Sequence, residues 1–232
     1  MDCINCSNTN CLIKKHSNNP ELEEFLAEKH RFKVAKGQSF IIEGAPVHGL
    51  FFVYKGKVKM VKTGINGREQ IVRLVNNGEG VGHRSFGVGE YYQIGAVAIE
   101  DSILCSFTKK MLRDTLQTNA KLTYDFMTFY SEELNRSETK VRKFAQMTVR
   151  ERIIDAILYI HRKFKQSKGW LTLELSRREL ADFAGTTEEQ SIRMLSALKS
   201  EGLIKVDGRK IGILDLKKLR SEISEHNYYL DS

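Results

Sequence analysis

The sequence predicts an α+β fold with three parts: an N-terminal β-roll, one long helix and a C-terminal winged helix-turn-helix. Between residues 39 and 107, short runs rich in Val, Ile and Phe alternate with glycines. Residues 119–144 contain neither Gly nor Pro. Residues 176–214 read as a helix, a Gly-centred turn, a second helix and a hairpin. The expected division is an arm at 1–20, the roll at 21–118, a dimerisation helix at 119–145 and a DNA-binding domain at 146–232.

The arm carries three of the four cysteines, as Cys3-x-x-Cys6-x-x-x-x-Cys11, while Cys105 ends a predicted strand far away. In a protein expected to be cytoplasmic, this pattern is metal or redox arithmetic rather than a disulfide framework. Closely spaced thiolates can wrap one face of an iron-sulfur cube, and Cys105 would complete the ligation if the fold brings it near. Other readings stay open: a Cys₃His zinc site from Cys3, Cys6, Cys11 and His16, thiols that sense oxidants directly, or Cys105 as a small buried hydrophobe. Asn-rich stretches at 8–10 and 18–20 make the arm look like loop, disordered without metal.

In the roll, strands are expected at 39–43, 50–54, 57–62, 70–75, 93–99 and 102–107, with glycines at the turns. Residues 78–82 (GEGVG) lack the Lys-Ser/Thr of a phosphate loop and read as a turn. In the long helix, Met127, Tyr130, Leu134, Ser137, Val141 and Phe144 recur at spacings of three and four, a heptad seam. Leu122, Phe126 and Phe129 form a second strip suited to packing on the roll. A single stripe would suit a helix inside a monomer; two stripes favour a homodimer. Residues 147–164 read as a further helix, and 167–169 as a loop.

Ser176-Arg-Arg-Glu179 has the spacing of a capping box. Gly185 supplies a positive φ for the sharp turn, and Thr186 or Thr187 caps the next helix. On that helix Glu188, Glu189, Gln190 and Arg193 lie at the outward, N-terminal end. Glu189 and Arg193 share a face, which suits a carboxylate accepting from cytosine and a guanidinium forking onto guanine; the plain alternative is a surface ion pair. Predicted strands at 203–206 and 209–214 flank Asp207-Gly208, read as a type I′ turn, with Lys205, Arg209 and Lys210 offering charge to phosphates. Ser176, Arg177 and Thr187 complete the candidate DNA contacts.

Charge agrees with this. The chain of 232 residues has a formal charge of +8, and residues 141–232 hold 18 Lys and Arg against 13 Asp and Glu. A basic balance favours a polyanionic partner, which fits double-stranded DNA and would equally fit a ribosome or a membrane surface. No apolar run reaches the length of a membrane span. No convergent Cys, His and Asp group or paired carboxylates stands out around Cys105 or His83, so an enzyme is not expected.

On these residues the chain resembles the CRP/FNR family of bacterial regulators. The resemblance implies base reading through Glu189, Ile192 and Arg193, a two-fold operator bound by a homodimer, and contact with RNA polymerase. Ile192 and Ser191 depart from the family's usual residues. The roll resembles the family's cyclic-nucleotide-binding domain, but its cassette reads Gly82-His83-Arg84-Ser85 and the later pair falls near Gln93-Ile94, without the ribose carboxylate and phosphate guanidinium, so cyclic AMP is not expected. Residues 98–105 (AIEDSILC) resemble the oxygen-sensing branch, whose three N-terminal cysteines and one later cysteine imply a [4Fe–4S] cluster on Cys3, Cys6, Cys11 and Cys105. The gap from Cys6 to Cys11 is one residue shorter than that branch's spacing. The alternatives are a regulator with a zinc or thiol sensor, one with a small-molecule effector in the roll, or a winged helix that binds protein.

Overall fold

A computed structural model describes residues 3–85 and 89–226. The extremities of the expected arm and C-terminal domain, residues 1–2 and 227–232, lie outside the described residues. The chain forms two compact units, Met1–Leu134 and Asn135–Ser232.

The first unit begins with two short helices, α1 (Leu12–Lys15) and α2 (Glu23–Ala27), and continues with eight strands. These are β1 (His30–Val34), β2 (Ser39–Ile41), β3 (Gly49–Lys55), β4 (Val58–Thr63), β5 (Glu69–Val75), β6 (Gly80–Val81), β7 (Gly95–Ala98) and β8 (Ser102–Thr108). Two four-stranded antiparallel sheets result, ordered β1-β8-β3-β6 and β2-β7-β4-β5. Between them lies an apolar interior that includes Val53, Val58, Met60, Val75, Val81, Ala96 and Leu104, all fully buried. Alternation along the strands sends every second residue inward, so short runs of Val, Ile and Met suffice to fill it.

A second core forms where α3 (Lys109–Thr118) and the start of α4 (Ala120–Gln146) meet β3 and β8. Leu112, Leu122 and Phe126 pack there with Phe25, Phe52 and Phe107, and the Phe25 and Phe107 rings stack 4.7 Å apart. The strip of Leu122 and Phe126 does face the roll, as their spacing suggests. Residues 3–11 are loop, as expected, with α1 following, yet the loop is docked: Cys3, Cys11 and Ile13 are buried members of this same core. Cys11 sits at the N-cap position of α1. Asn8 Nδ2 donates to the Tyr54 carbonyl at 2.8 Å and Asn10 Nδ2 to that of Asn77 at 3.0 Å. Gly78 beneath Asn10 has a φ of 82°, and an added Cβ would come within 2.2 Å of the Asn10 side chain. The arm therefore docks where no larger residue would let it.

In the second unit, α5 (Val149–Phe164) follows a capping box of Thr148 and Glu151 and buries Ile153, Ile154, Ile157, Ile160 and Phe164. The expected loop at 167–169 is instead a hairpin of β9 (Gln166–Ser167) and β10 (Trp170–Leu171), with Lys168 and Gly169 both at positive φ. Then come α6 (Arg177–Ala184), α7 (Glu188–Ser200), β11 (Ile204–Asp207), β12 (Lys210–Ile213) and α8 (Leu216–Glu222). Helix α5 packs on α6, α7 and α8, and α7 on β11. No helix among the described residues is long and apolar enough to cross a membrane.

Candidate functional site

The turn between α6 and α7 forms for local reasons. Ser176 accepts from the Glu179 N–H while Glu179 Oε2 accepts from the Ser176 N–H at 2.9 Å, closing a capping box. Gly185 ends α6 at φ 66°, and Thr187 starts α7 by accepting from the Gln190 N–H at 3.2 Å. Leu195 and Leu198 hold α7 from beneath. Glu188, Glu189, Ile192 and Arg193 are left exposed, Ile192 by 47 %. No ion pair joins Glu189 and Arg193 among the described residues, so both heads face solvent. Gln190 is half-buried and accepts from the Thr186 hydroxyl. Ser191 is fully buried, and its hydroxyl has no hydrogen-bond partner.

The wing differs from expectation in its turn. Asp207 pairs with Lys210, so the two-residue loop is Gly208-Arg209, and of these Gly208 alone has a positive φ, of 51°. That is the requirement of a type II′ turn rather than type I′. Arg209 and Lys210 are exposed at its tip. Lys205 and Arg177 are partly engaged inside the domain. Lys205 Nζ sits 4.3 Å over the Trp170 ring, and Arg177 Nη2 donates to the Gly208 carbonyl, bracing the wing against α6. Burial lowers the Arg177 pKa. Ser176 and Thr187 spend their hydroxyls as helix caps.

On α4, the exposed apolar side chains are Tyr124, Met127, Leu134 and Val141, at 69, 63, 61 and 68 %. Three of the six seam positions are thus open, whereas Tyr130, Ser137 and Phe144 are half-buried. Tyr130 Oη donates to the His83 carbonyl at 2.7 Å, and burial pushes its pKa up to about 12. Phe144 lies against Gly185, where an added Cβ would stand 3.3 Å from its ring. The open row starts at Tyr124, a position the sequence spacing did not single out.

Within the roll, the cationic residues of the cassette turn to a carboxylate of the same unit. Glu133 is 5 % exposed, with Arg73 Nη1 at 3.4 Å, His83 Nε2 at 3.5 Å and Arg84 Nη2 at 3.9 Å. Burial lowers the His83 pKa; Glu133 opposes this, and Arg73 and Arg84 add to it. A neutral imidazole between two guanidinium groups fits that balance.

The four cysteines, all free thiols, come to one place. Cys3, Cys6, Cys11 and Cys105 line a single small pocket, partly open to solvent. Phe52, Val53, Phe107 and Ile13 supply its apolar wall, and Lys14, Lys29 and Arg31 its cations. Cys105 enters it from β8, where it faces Arg31 of β1 and Phe52 of β3 across the sheet. Burial pushes the Cys11 thiol up to about 11, and burial also raises Cys105 against the pull of Arg31. Lys29 Nζ donates to Cys3 Sγ at 3.2 Å.

His16, the fourth ligand of the zinc alternative, stands apart from the four cysteines. His16 Nε2 lies 2.8 Å from Asp125 Oδ2 and does not line the pocket. Among the described residues, no three His, Cys, Asp or Glu are gathered closely enough to hold a single ion. One zinc needs its ligand atoms at about 2.0–2.3 Å from one point.

Residues 31–119 match the cyclic nucleotide-binding domain family, and residues 151–222 the Crp-like helix-turn-helix domain family. The chain belongs to the CRP/FNR family of transcriptional regulators. This CRP/FNR regulator is 25 % identical over 231 residues to the transcriptional activator protein FnrL of Cereibacter sphaeroides, covering 96 % of this chain and 92 % of that one. It is 26 % identical over 217 residues to the fumarate and nitrate reduction regulatory protein of Escherichia coli, covering 92 % and 86 %. FixK2 of Bradyrhizobium japonicum has the same fold, with a TM-score of 0.75 at 24 % identity over 83 % of this chain and 96 % of that one. These relatives are regulators, not enzymes, and the Crp-like helix-turn-helix makes the second unit a DNA-binding one.

Proposed function

We propose that this CRP/FNR regulator is a homodimer that reads a two-fold operator and is switched by a [4Fe–4S] cluster held by Cys3, Cys6, Cys11 and Cys105. The observation that carries the reading is the convergence of all four thiols on one pocket, from an arm and a strand far apart in sequence. The relatives named for anaerobic and fumarate and nitrate regulation point the same way. A cluster bound there would supply a centre that oxygen or nitric oxide destroys.

The chain's own residues then provide the coupling. Cys11 stands at the N-cap position of α1, and just beyond that helix His16 is bonded to Asp125 of α4, beside the exposed Tyr124 and Met127. Tying the arm's thiols to Cys105 keeps α1 formed and His16 in place; freeing them releases a restraint on the helix that pairs. The exposed row Tyr124, Met127, Leu134 and Val141 forms the dimer seam, heptad-spaced from Met127 onward. Pairing sets two copies of α7 about one DNA turn apart, roughly 34–36 Å. Glu189, Ile192 and Arg193 read bases, while Arg209 and Lys210 hold phosphates. RNA polymerase is the further partner, and the cytoplasm the place of action.

Visible absorption with iron and sulfide analysis, on protein purified without oxygen and then exposed to air, tests the sensor. The expected result is a brown protein with about four irons per chain that bleaches in air, and a Cys105→Ser variant that stays colourless. An iron-free, colourless protein that binds its operator equally in air would end the cluster reading and leave a DNA-binding regulator. Indifference of DNA affinity to Arg193→Ala and to salt would point instead to a protein-binding winged helix.

A further inference from the structure

We infer that Lys29 and Arg31 are built-in counter-charges for the sulfur centre, which raise its reduction potential and help retain it. This rests on the cluster reading above. The four-cysteine pocket holds three cations and no carboxylate among its lining residues. Two of the cations address sulfur directly. Lys29 Nζ donates to Cys3 Sγ at 3.2 Å, and Arg31 faces Cys105 in the β1–β8 register, where its charge favours the thiolate. Lys14 is used elsewhere, donating to the Ile4 carbonyl.

Arg31 is also held in position. Its guanidinium lies 4.0 Å from the centroid of the Tyr54 ring, a cation–π contact that fixes a long side chain over the pocket. Phe52, Phe107 and Val53 also line the pocket, and hydrocarbon there leaves charges at the sulfurs less screened than water would. Four thiolates around a doubly positive core leave two negative charges, and a one-electron reduction leaves three. Each fixed cation near sulfur favours the more negative state, and hydrogen bonds to sulfur act in the same sense. Removing either cation therefore makes the centre harder to reduce and the thiolate set costlier to assemble.

The test compares wild type with Lys29→Met and Arg31→Met, which keep much of the aliphatic bulk, and with Lys29→Arg and Arg31→Lys, which keep the charge. Protein is purified without oxygen, and iron, sulfide and folding by circular dichroism are measured first. Midpoint potentials then come from mediated titration with dithionite as the one-electron donor. The inference predicts a shift to more negative potential in each Met variant, larger in the double variant, with the charge-conserving variants near wild type. A folded Met variant that loses iron while its charge-conserving partner keeps it supports the same conclusion. Unchanged potentials and iron content in both Met variants overturn it, as does equal iron loss in the charge-conserving ones. Should a Met variant not fold, Lys29→Gln and Arg31→Gln take its place with the same expected shift. Wild type without a cluster defeats the underlying functional reading instead.

Discussion

His16 and Asp125 form a 2.8 Å contact that joins the cysteine-bearing arm to α4. The imidazole is only 5 % exposed, so removing its partner leaves a buried polar ring poorly satisfied. We expect Asp125→Ala to lower stability by about 1–3 kcal/mol. Its more telling effect is on regulation. Differential scanning fluorimetry reads the first, and DNA affinity with and without air reads the second; the variant should bind with little difference between the two conditions.

The exposed row on α4 predicts how the protein associates. Met127→Glu combined with Leu134→Glu should leave the helix content unchanged, since both side chains are more than half exposed. In a dimer the same carboxylates would be buried without partners, at several kcal/mol each. Sedimentation should show self-association weakened by roughly 100-fold or more, with operator binding lost in parallel. Leu122→Glu is the contrasting case: Leu122 is fully buried beneath the same helix, so this change should unfold the first unit.

Base reading and phosphate contact separate cleanly. Arg193→Ala should cost about 1–3 kcal/mol at the operator and relax preference at one base pair per half-site. Lys210→Ala should weaken binding to all sequences alike and reduce the steepness of salt dependence by about one charge per chain. Fluorescence anisotropy at several salt concentrations distinguishes the two.

Acid should loosen the second unit through Glu151 and Glu201. The hydroxyl and N–H of Thr148 hold Glu151 below its ordinary value of 4.5, and Arg150 does the same for Glu201. A carboxyl with a lowered pKa in the folded state binds its proton more readily when unfolded. Its stabilisation is therefore complete above about pH 4.5 and drains away as pH falls through the folded value. Melting temperature followed from about pH 6 to pH 3 should drop at the acid end, and Glu151→Gln, which keeps an oxygen to accept from the Thr148 N–H, should flatten that drop.

Ser191 offers a gain. Its hydroxyl is buried and unbonded at the root of α7, so Ser191→Ala should raise stability by about 1 kcal/mol without altering DNA affinity. A chemical denaturation curve would show the midpoint moving up with its slope unchanged.

Much of this architecture was legible because local rules acted alone. Ser176 with Glu179, Gly185 and Thr187 announce two helices and the turn between them, and the glycine cadence announces paired strands. Strand β1 was missed because His30-Arg-Phe-Lys-Val34 carries little apolar alternation; it forms by pairing with β8. The arm is largely loop, as it read, but its docking through burial of Cys3, Cys11 and Ile13 against the roll is a tertiary effect that no local pattern encodes. Heptad spacing picked out a face of α4 but not which of its residues are exposed, since Tyr130 and Phe144 satisfy the same spacing yet pack within their own chain. The four cysteines could be counted from the sequence. That Lys29 and Arg31 share their pocket follows only from strand pairing and arm docking.

Operator affinity under nitrogen and under air, for wild type and Cys105→Ser on a site selected from random duplexes, tests the account most directly. It predicts two chains per site and tight binding by the wild type under nitrogen, with at least about tenfold weaker binding in air and in the variant under either gas. Equal affinity in all four measurements would contradict it.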